Sequence, residues 1–304
     1  MATTDDGSRT LRVAPKDLKR SVAGPGESPA LGRPGAGRAS VPLLAYVLHS
    51  HDWSETSLIV ELFTRSQGRV VVAAKGAKRP TSAQRAMLLP FQPVTVQLGK
   101  PPKDDSTEVL NLRSAEWTGG APLLKAAAML PGFYVNELLL KLLARQDPHP
   151  VLFDVYADTL AALASGVDEA ATLRAFELLL LRELGWLPDL AVVTQTAQPV
   201  QAGARYTLLA ENGLVPTAQN GATGAVWQAL HAAVLHGSAA AVRAACHGAT
   251  TALRAPLRAL LQYHLGNIQL RTRHVGLDLQ KLLEPGRVNP LPPNSPYVNA
   301  TAAA

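Results

Sequence analysis

His49 and His51 stand two apart in an extended run, a spacing that turns both imidazoles to one face of a strand, as two metal ligands would be turned. No third ligand accompanies them, so the pair reads as polar surface or stacked rings, and no metal and no cofactor are expected. Catalytic signatures are missing as well. The chain has no phosphate-binding Walker loop, no His-Glu-x-x-His metalloprotease pair and no Gly-x-Ser-x-Gly nucleophile elbow. The glycines around Gly24 and Gly26 follow no strand and cannot form a dinucleotide loop. With Cys246 as the single cysteine there is neither an intramolecular disulfide nor a cysteine-rich zinc site, and Cys246 is expected in the core. The sequence therefore reads as that of a binding protein rather than an enzyme, with no small-molecule substrate.

What remains is cationic. The chain of 304 residues carries 29 Lys and Arg against 23 Asp and Glu, a formal charge of +6, which favours a polyanionic partner through counterion release. The distribution is more telling than the total. From Leu62 to Lys103 there is no acid, yet Arg65, Arg69, Lys75, Lys78, Arg79, Arg85, Lys100 and Lys103 all fall there. The first six are the candidate phosphate-backbone contacts, with Arg69 and Lys75 projecting from one strand face and Lys78, Arg79 and Arg85 on the following loop. Tyr46, Trp53 and Phe91 are the aromatic rings within reach for base stacking, so binding should show little sequence preference. A second acid-free stretch, Gly213 to Leu277, holds Arg243, Arg254, Arg258, Arg271 and Arg273, which extend such a track or cover helix surfaces. Arg174 is a separate candidate. At helical spacing it shares a stripe with Leu178 and Leu181, a guanidinium beside apolar surface that suits a peptide ending in a carboxylate; the bland alternative is an ion pair with Glu177, three residues on.

Two kinds of element must position these groups. Between Val41 and Trp117 five short β-prone runs alternate with turns: Leu43 to His49, Ser57 to Thr64, Arg69 to Ala77, Pro93 to Gly99 and Thr107 to Trp117. Gly68 supplies the positive φ of a hairpin between the second and third, and Pro80 to Leu89 interrupts the series, as in an OB-fold. After Pro122 the period is helical. Helices are expected over Leu123 to Arg145, with a break near Pro131 and Gly132, over Val151 to Ala164, and from Asp168 and Glu169 to the stop at Gly185. Others cover Ala225 to Leu235, Ser238 to Cys246 and Thr251 to Leu265, where Pro256 fits only in a first turn. Residues 186–224 lose periodicity, apart from a possible short strand over Arg205 to Ala210. The expected class is α+β, an N-terminal OB-fold β-barrel followed by an all-helical C-terminal domain. The boundaries are a disordered tail at 1–40, with seven basic and four acidic residues, an OB-fold nucleic-acid-binding barrel at 41–120, a helical domain at 121–283 and an irregular tail at 284–304.

The motifs themselves are specific in combination. The run Ala45-Tyr-Val-Leu-His-Ser-His-Asp-Trp-Ser-Glu-Thr-Ser-Leu58, then Phe63-Thr64, Gly68-Arg-Val70 and Ala74-Lys-Gly-Ala-Lys-Arg79, resembles the N-terminal domain of the RecO family. So do Leu112-Arg-Ser-Ala-Glu116, Tyr134-Val-Asn-Glu-Leu138, and Leu173-Arg-Ala-Phe-Glu-Leu178 followed by Leu184-Gly185-Trp186; together the motifs cover residues 42–283. The resemblance implies an OB-fold on a helical domain that binds single- and double-stranded DNA, anneals complementary strands, and engages RecR and the acidic tail of the single-stranded DNA-binding protein SSB to help load RecA. It also assigns Arg174 to the SSB tail. Some members carry four zinc-binding cysteines after the Leu-Gly-aromatic step, but the corresponding stretch here reads Leu190-Ala-Val-Val-Thr-Gln-Thr196, so no zinc is expected. The alternative is an OB-fold protein directed at RNA or the ribosome, from which only the motifs separate it. No run approaches the roughly 18 apolar residues of a membrane span and no signal segment is visible, so the expected location is the cytoplasm, at the nucleoid.

Overall fold

The computed structural model describes residues 41–99 and 109–283. The expected tails at 1–40 and 284–304, together with Lys100 and Lys103, lie outside these residues.

Five strands, β1 (Leu43–Asp52), β2 (Leu58–Thr64), β3 (Gly68–Ala74), β4 (Pro93–Leu98) and β5 (Val109–Trp117), close into a barrel in the order β1-β2-β3-β5-β4. All neighbours are antiparallel except β3 and β5, which run parallel. This is the OB-like barrel expected from the strand alternation. Period-2 patterning fills its interior, with Val47, Val60, Leu62, Val72, Val94 and Val96 forming one apolar cluster. The interruption between β3 and β4 has a packing role. It contains the single-turn α1 (Gln84–Met87) and inserts Ala77 and Leu88 into that same cluster, so the segment plugs one end of the barrel.

The helical half comprises α2 (Ala126–Leu142), α3 (Pro150–Ser165), α4 (Glu169–Glu183), α5 (Gly224–His236), α6 (Ala239–Cys246), α7 (Thr250–Leu265) and α8 (Arg271–Leu283). Helix α4 lies at its centre, packed on α3, α6 and α7. It is capped by the Asp168 carboxylate, which accepts the Ala171 N–H at 3.0 Å. That hydrogen bond, then one with His247, holds the Asp168 carboxyl below its usual range. The sequence expectation is modified in three places. The stretch 186–224 carries a small sheet, β6 (Arg205–Leu209), β7 (Gly213–Pro216) and β8 (Ala222–Thr223) in the order β7-β6-β8. It packs on α5, whose buried Trp227 donates to the Tyr206 carbonyl at 3.1 Å. Helix α2 runs unbroken through Pro131 and Gly132; a Cβ on Gly132 would stand 2.7 Å from Leu124 and 3.0 Å from the Phe91 ring, so the dipeptide marks close packing rather than a stop. Pro256 sits inside α7 with its ring buried, where burial outweighs the one backbone bond it forgoes.

The barrel is joined to the helices through its own outer wall. Tyr46, Leu48, Phe63 and Phe91 belong to the helical core cluster, not to the barrel interior. Tyr46 and Phe63 meet Phe153 and Tyr156 of α3 with ring centroids 5.0–6.1 Å apart, the Tyr46–Tyr156 and Phe63–Tyr156 pairs edge to face. Asn136 of α2, almost fully buried, donates to the Leu48 carbonyl at 2.9 Å and accepts from Tyr156 Oη at 2.6 Å. Gly68, at φ 67°, is pressed so closely on Asp147 that any Cβ would run into the Asp147 carbonyl. The seam is thus sealed by rings and keyed by one amide. Replacing Asn136 by Leu orphans a buried carbonyl and a buried hydroxyl, and should lower stability by about 2 kcal/mol. Urea denaturation should show this as a lower midpoint at unchanged slope.

Candidate nucleic-acid interface

The expected cationic surface divides into two groups, set by the hairpin register. Thr64 pairs with Gly68 at the tip of the β2–β3 hairpin and Leu58 pairs with Ala74 at its other end, so Arg65 and Lys75 stand at opposite ends of a strand roughly 20 Å long. At the tip, Arg65 makes a bidentate pair with Asp154 of α3, at 3.0 and 2.9 Å. Arg69 turns inward. Its side chain is only 14% exposed and reaches Glu61, whose other oxygen accepts from Arg145 at 3.0 Å. The expectation that Arg69 and Lys75 share a wet face is therefore corrected, because the outer side of β3 at Arg69 is covered by the segment after α2, where Gln146 N–H donates to the Arg69 carbonyl at 2.8 Å.

The other end keeps its charge. Lys75, Arg79 and Arg85 are exposed on the turn that plugs the barrel and have no acidic partner among the described residues. Lys78 is partly committed, donating to Asp52 at 2.9 Å and to the Ser54 carbonyl at 3.2 Å. Its backbone N–H bonds to Thr56, which ties this turn to the β1–β2 loop carrying Trp53. Trp53 is 58% exposed, whereas Tyr46 and Phe91 are buried against the helices. Of the three aromatic candidates only Trp53 is free to meet a base. The structure brings the turn carrying Lys75, Lys78 and Arg79 against the loop that carries Trp53, places Arg85 on α1 beside β5, and separates that turn from Arg65 and Arg69.

A second cationic site lies in the helical half, around a cavity of about 560 Å³. Arg174 of α4, Arg254 and Arg258 of α7 and Arg273 of α8 line it with Glu169 and Glu177. Leu130, Leu173, Leu277 and Leu279 supply the apolar wall. Leu178 and Leu181 do not, since both are fully buried in the helical core; the stripe proposed for them faces the interior because α4 is packed on several sides. Arg174 pairs with Glu177 at 2.6 Å, and Tyr134 Oη donates to the same Glu177 oxygen at 2.7 Å. Arg273 stands over the Tyr134 ring, 5.8 Å from its centroid. Burial raises the Glu177 carboxyl above the usual range, against the pull of Arg174. Its second oxygen and Arg174 Nε are buried without a hydrogen-bond partner among the described residues. Sequence reading missed this convergence because α8 was not recognised as a helix; the four-residue spacing of Arg254 and Arg258 was the available signal.

Elsewhere the His49 and His51 rings touch edge to face at 4.2 Å, and no group of three or more potential metal ligands exists among the described residues. Cys246 lies in the core, its thiol pushed up to about 12 by burial. Among the described residues no helix is long and apolar enough to cross a membrane.

Residues 42–119 match the family model described as recombination protein O N terminal, and residues 126–274 match recombination protein O C terminal. The chain belongs to the RecO family. The DNA repair protein RecO of Variovorax paradoxus is 48% identical over 251 residues, covering 78% of this chain and 96% of that relative. The RecO protein of Delftia acidovorans is 48% identical over 250 residues with the same coverage. The two RecO models cover most of the stretch that carries the motifs, and the break between them falls just after the last barrel strand.

In this RecO-family chain the Arg174–Glu177 pair carries a stability signature. Arg174→Ala would strand a buried carboxylate, costing about 3–5 kcal/mol at neutral pH. With its partner gone Glu177 has a folded pKa still further above the unfolded value, so the penalty is full above the folded pKa and vanishes as pH falls below the unfolded one. Denaturant titrations of Arg174→Ala and wild type should therefore converge on acidification.

Proposed function

We propose that this protein is a DNA-binding recombination mediator that works by binding rather than by catalysis. In this reading it anneals complementary strands and, together with RecR, helps RecA onto single strands coated with SSB. The observation that carries the reading is the exposed trio Lys75, Arg79 and Arg85 on the segment that plugs the OB-like barrel, free of acidic partners among the described residues, with the turn of the first two tied to the loop that carries the exposed Trp53. A row of unpaired cations neutralises phosphates, and a tryptophan face accepts any base, so affinity is broad and salt-dependent. Membership of a family whose relatives are named DNA repair proteins supports the same reading. The variant K75A/K78A/R79A/R85A should bind single-stranded DNA more weakly, with the salt slope reduced by about 0.7 for each phosphate that is no longer neutralised. It should also anneal SSB-coated strands more slowly. Unchanged affinity at low salt, or a preference for RNA in direct competition, would count against the reading.

The arginine-lined cavity supports a second partner, the acidic tail of SSB. Four guanidiniums complement its carboxylates, and the leucine wall takes an apolar terminal side chain. A labelled tail peptide should lose about tenfold in affinity, the worth of one charge-assisted hydrogen bond, on Arg254→Ala or on Arg174→Ala measured where the variant remains folded.

A further inference from the structure

A second cavity, of about 460 Å³, lies between the outer side of β1 and the facing parts of α2 and the start of α8. Its acids are already satisfied. Glu61 is held by Arg69 and Arg145, and Glu137 accepts the backbone N–H groups of Arg271 and Thr272 at 2.8 and 2.9 Å and the Thr272 hydroxyl at 2.6 Å. Its exposed cations are not. Lys141 of α2 and the Arg271 guanidinium of α8 have no acidic partner among the described residues. The groove therefore carries a net positive surplus facing solvent.

Aromatic surface stands beside that charge. The Phe133 ring, 36% exposed, packs edge-on against Phe91 at 4.9 Å. Phe91 itself is held at φ 71°, a left-handed backbone that costs a bulky residue about 1–2 kcal/mol and persists only where its surroundings enforce it. The ring beneath Phe133 is thus fixed in advance. Across the groove His49 and His51 are exposed and touch edge to face. His49 is kept below the usual imidazole range by burial first and by His51 next, with Arg271 acting the same way and Glu61 opposing. At neutral pH it offers a ring rather than a charge.

Cations and aromatic rings lining one cleft match one ligand, a single strand whose bases are unstacked. A duplex hides its base faces, and an acidic peptide has only its end to set against apolar surface, whereas a strand offers a phosphate and a ring at every step. We propose that this groove is a single-strand binding channel, separate from the barrel-end turn, in which Lys141 and Arg271 take phosphates while Phe133 and the His49–His51 pair take bases. The proposal rests on the DNA-binding reading above and adds to it a second contact region and a preference for unpaired strands.

Fluorescence anisotropy with a labelled oligothymidylate and with a labelled duplex tests it on the full chain. Phe133→Leu keeps apolar volume and removes the ring; it should weaken single-strand binding about fivefold or more, the minimum worth of one stacked base, and leave duplex binding within about twofold. Lys141→Gln combined with Arg271→Gln should lower the single-strand salt slope by about 1.4, for two phosphates at about 0.7 each. Circular dichroism melting confirms that each variant is folded. Unchanged single-strand affinity in both variants, or equal losses on single strands and duplex for Phe133→Leu, overturns the proposal. The two levels separate cleanly: if K75A/K78A/R79A/R85A loses DNA while the groove variants do not, the channel fails and the DNA-binding reading stands, and if wild type ignores both oligonucleotides, both fail.

Discussion

The seating of the barrel on helices α2 and α3 is the constraint from which the rest of this structure follows. A five-stranded closed barrel can leave its whole outer wall in water, but here Tyr46 of β1 and Phe63 of β2 turn outward, and their burial against Phe153 and Tyr156 fuses the barrel wall with the helical core. Asn136 fixes the registration, because a single side chain satisfies a strand carbonyl and a helix hydroxyl at once. Apolar burial supplies the driving force and the amide supplies uniqueness.

That seating also decides what each cation does. Arginines at the seam become structural: Arg65 clasps Asp154, and Arg69 and Arg145 share Glu61. The Arg69–Glu61 pair is buried enough that breaking it would strand Glu61, whereas the Arg65–Asp154 pair is about half exposed and holds its arginine only lightly. Cations away from the seam keep their hydration and their reach. Position relative to one interface, rather than residue type, thus separates Arg65, Arg69 and Arg145 from the exposed Lys75, Arg79 and Arg85.

The sequence was legible where a local rule operates. Alternation in Val94, Val96 and Leu98 exposed the barrel, Gly68 the hairpin, and Asp168 with Gly185 the limits of the central helix. It was illegible where the answer depends on a distant element. Periodicity grouped Arg174 with Leu178 and Leu181, yet could not say that α4 is wrapped by neighbours and that three of the four leucines lining the cavity with Arg174 come from α2 and α8. Arg69 alternates as a surface residue should, but the segment after α2 covers it. Helix α8 begins without a capping side chain of its own; Glu137, 134 residues earlier in the chain from Arg271, takes that role, and no local pattern announces it.

Helix α8 has one further property. Its first turn borders the groove beside the barrel, and the following turns border the arginine-lined cavity, with Thr272 touching both. The helix is fastened at its origin by three hydrogen bonds to a single carboxylate and leaves Val275, Leu277 and Leu279 about half exposed along its length. It is a wall common to both cavities and tied down at one end. A ligand that moved this wall from one side would be coupled to a ligand on the other, and linkage would make the influence equal in both directions.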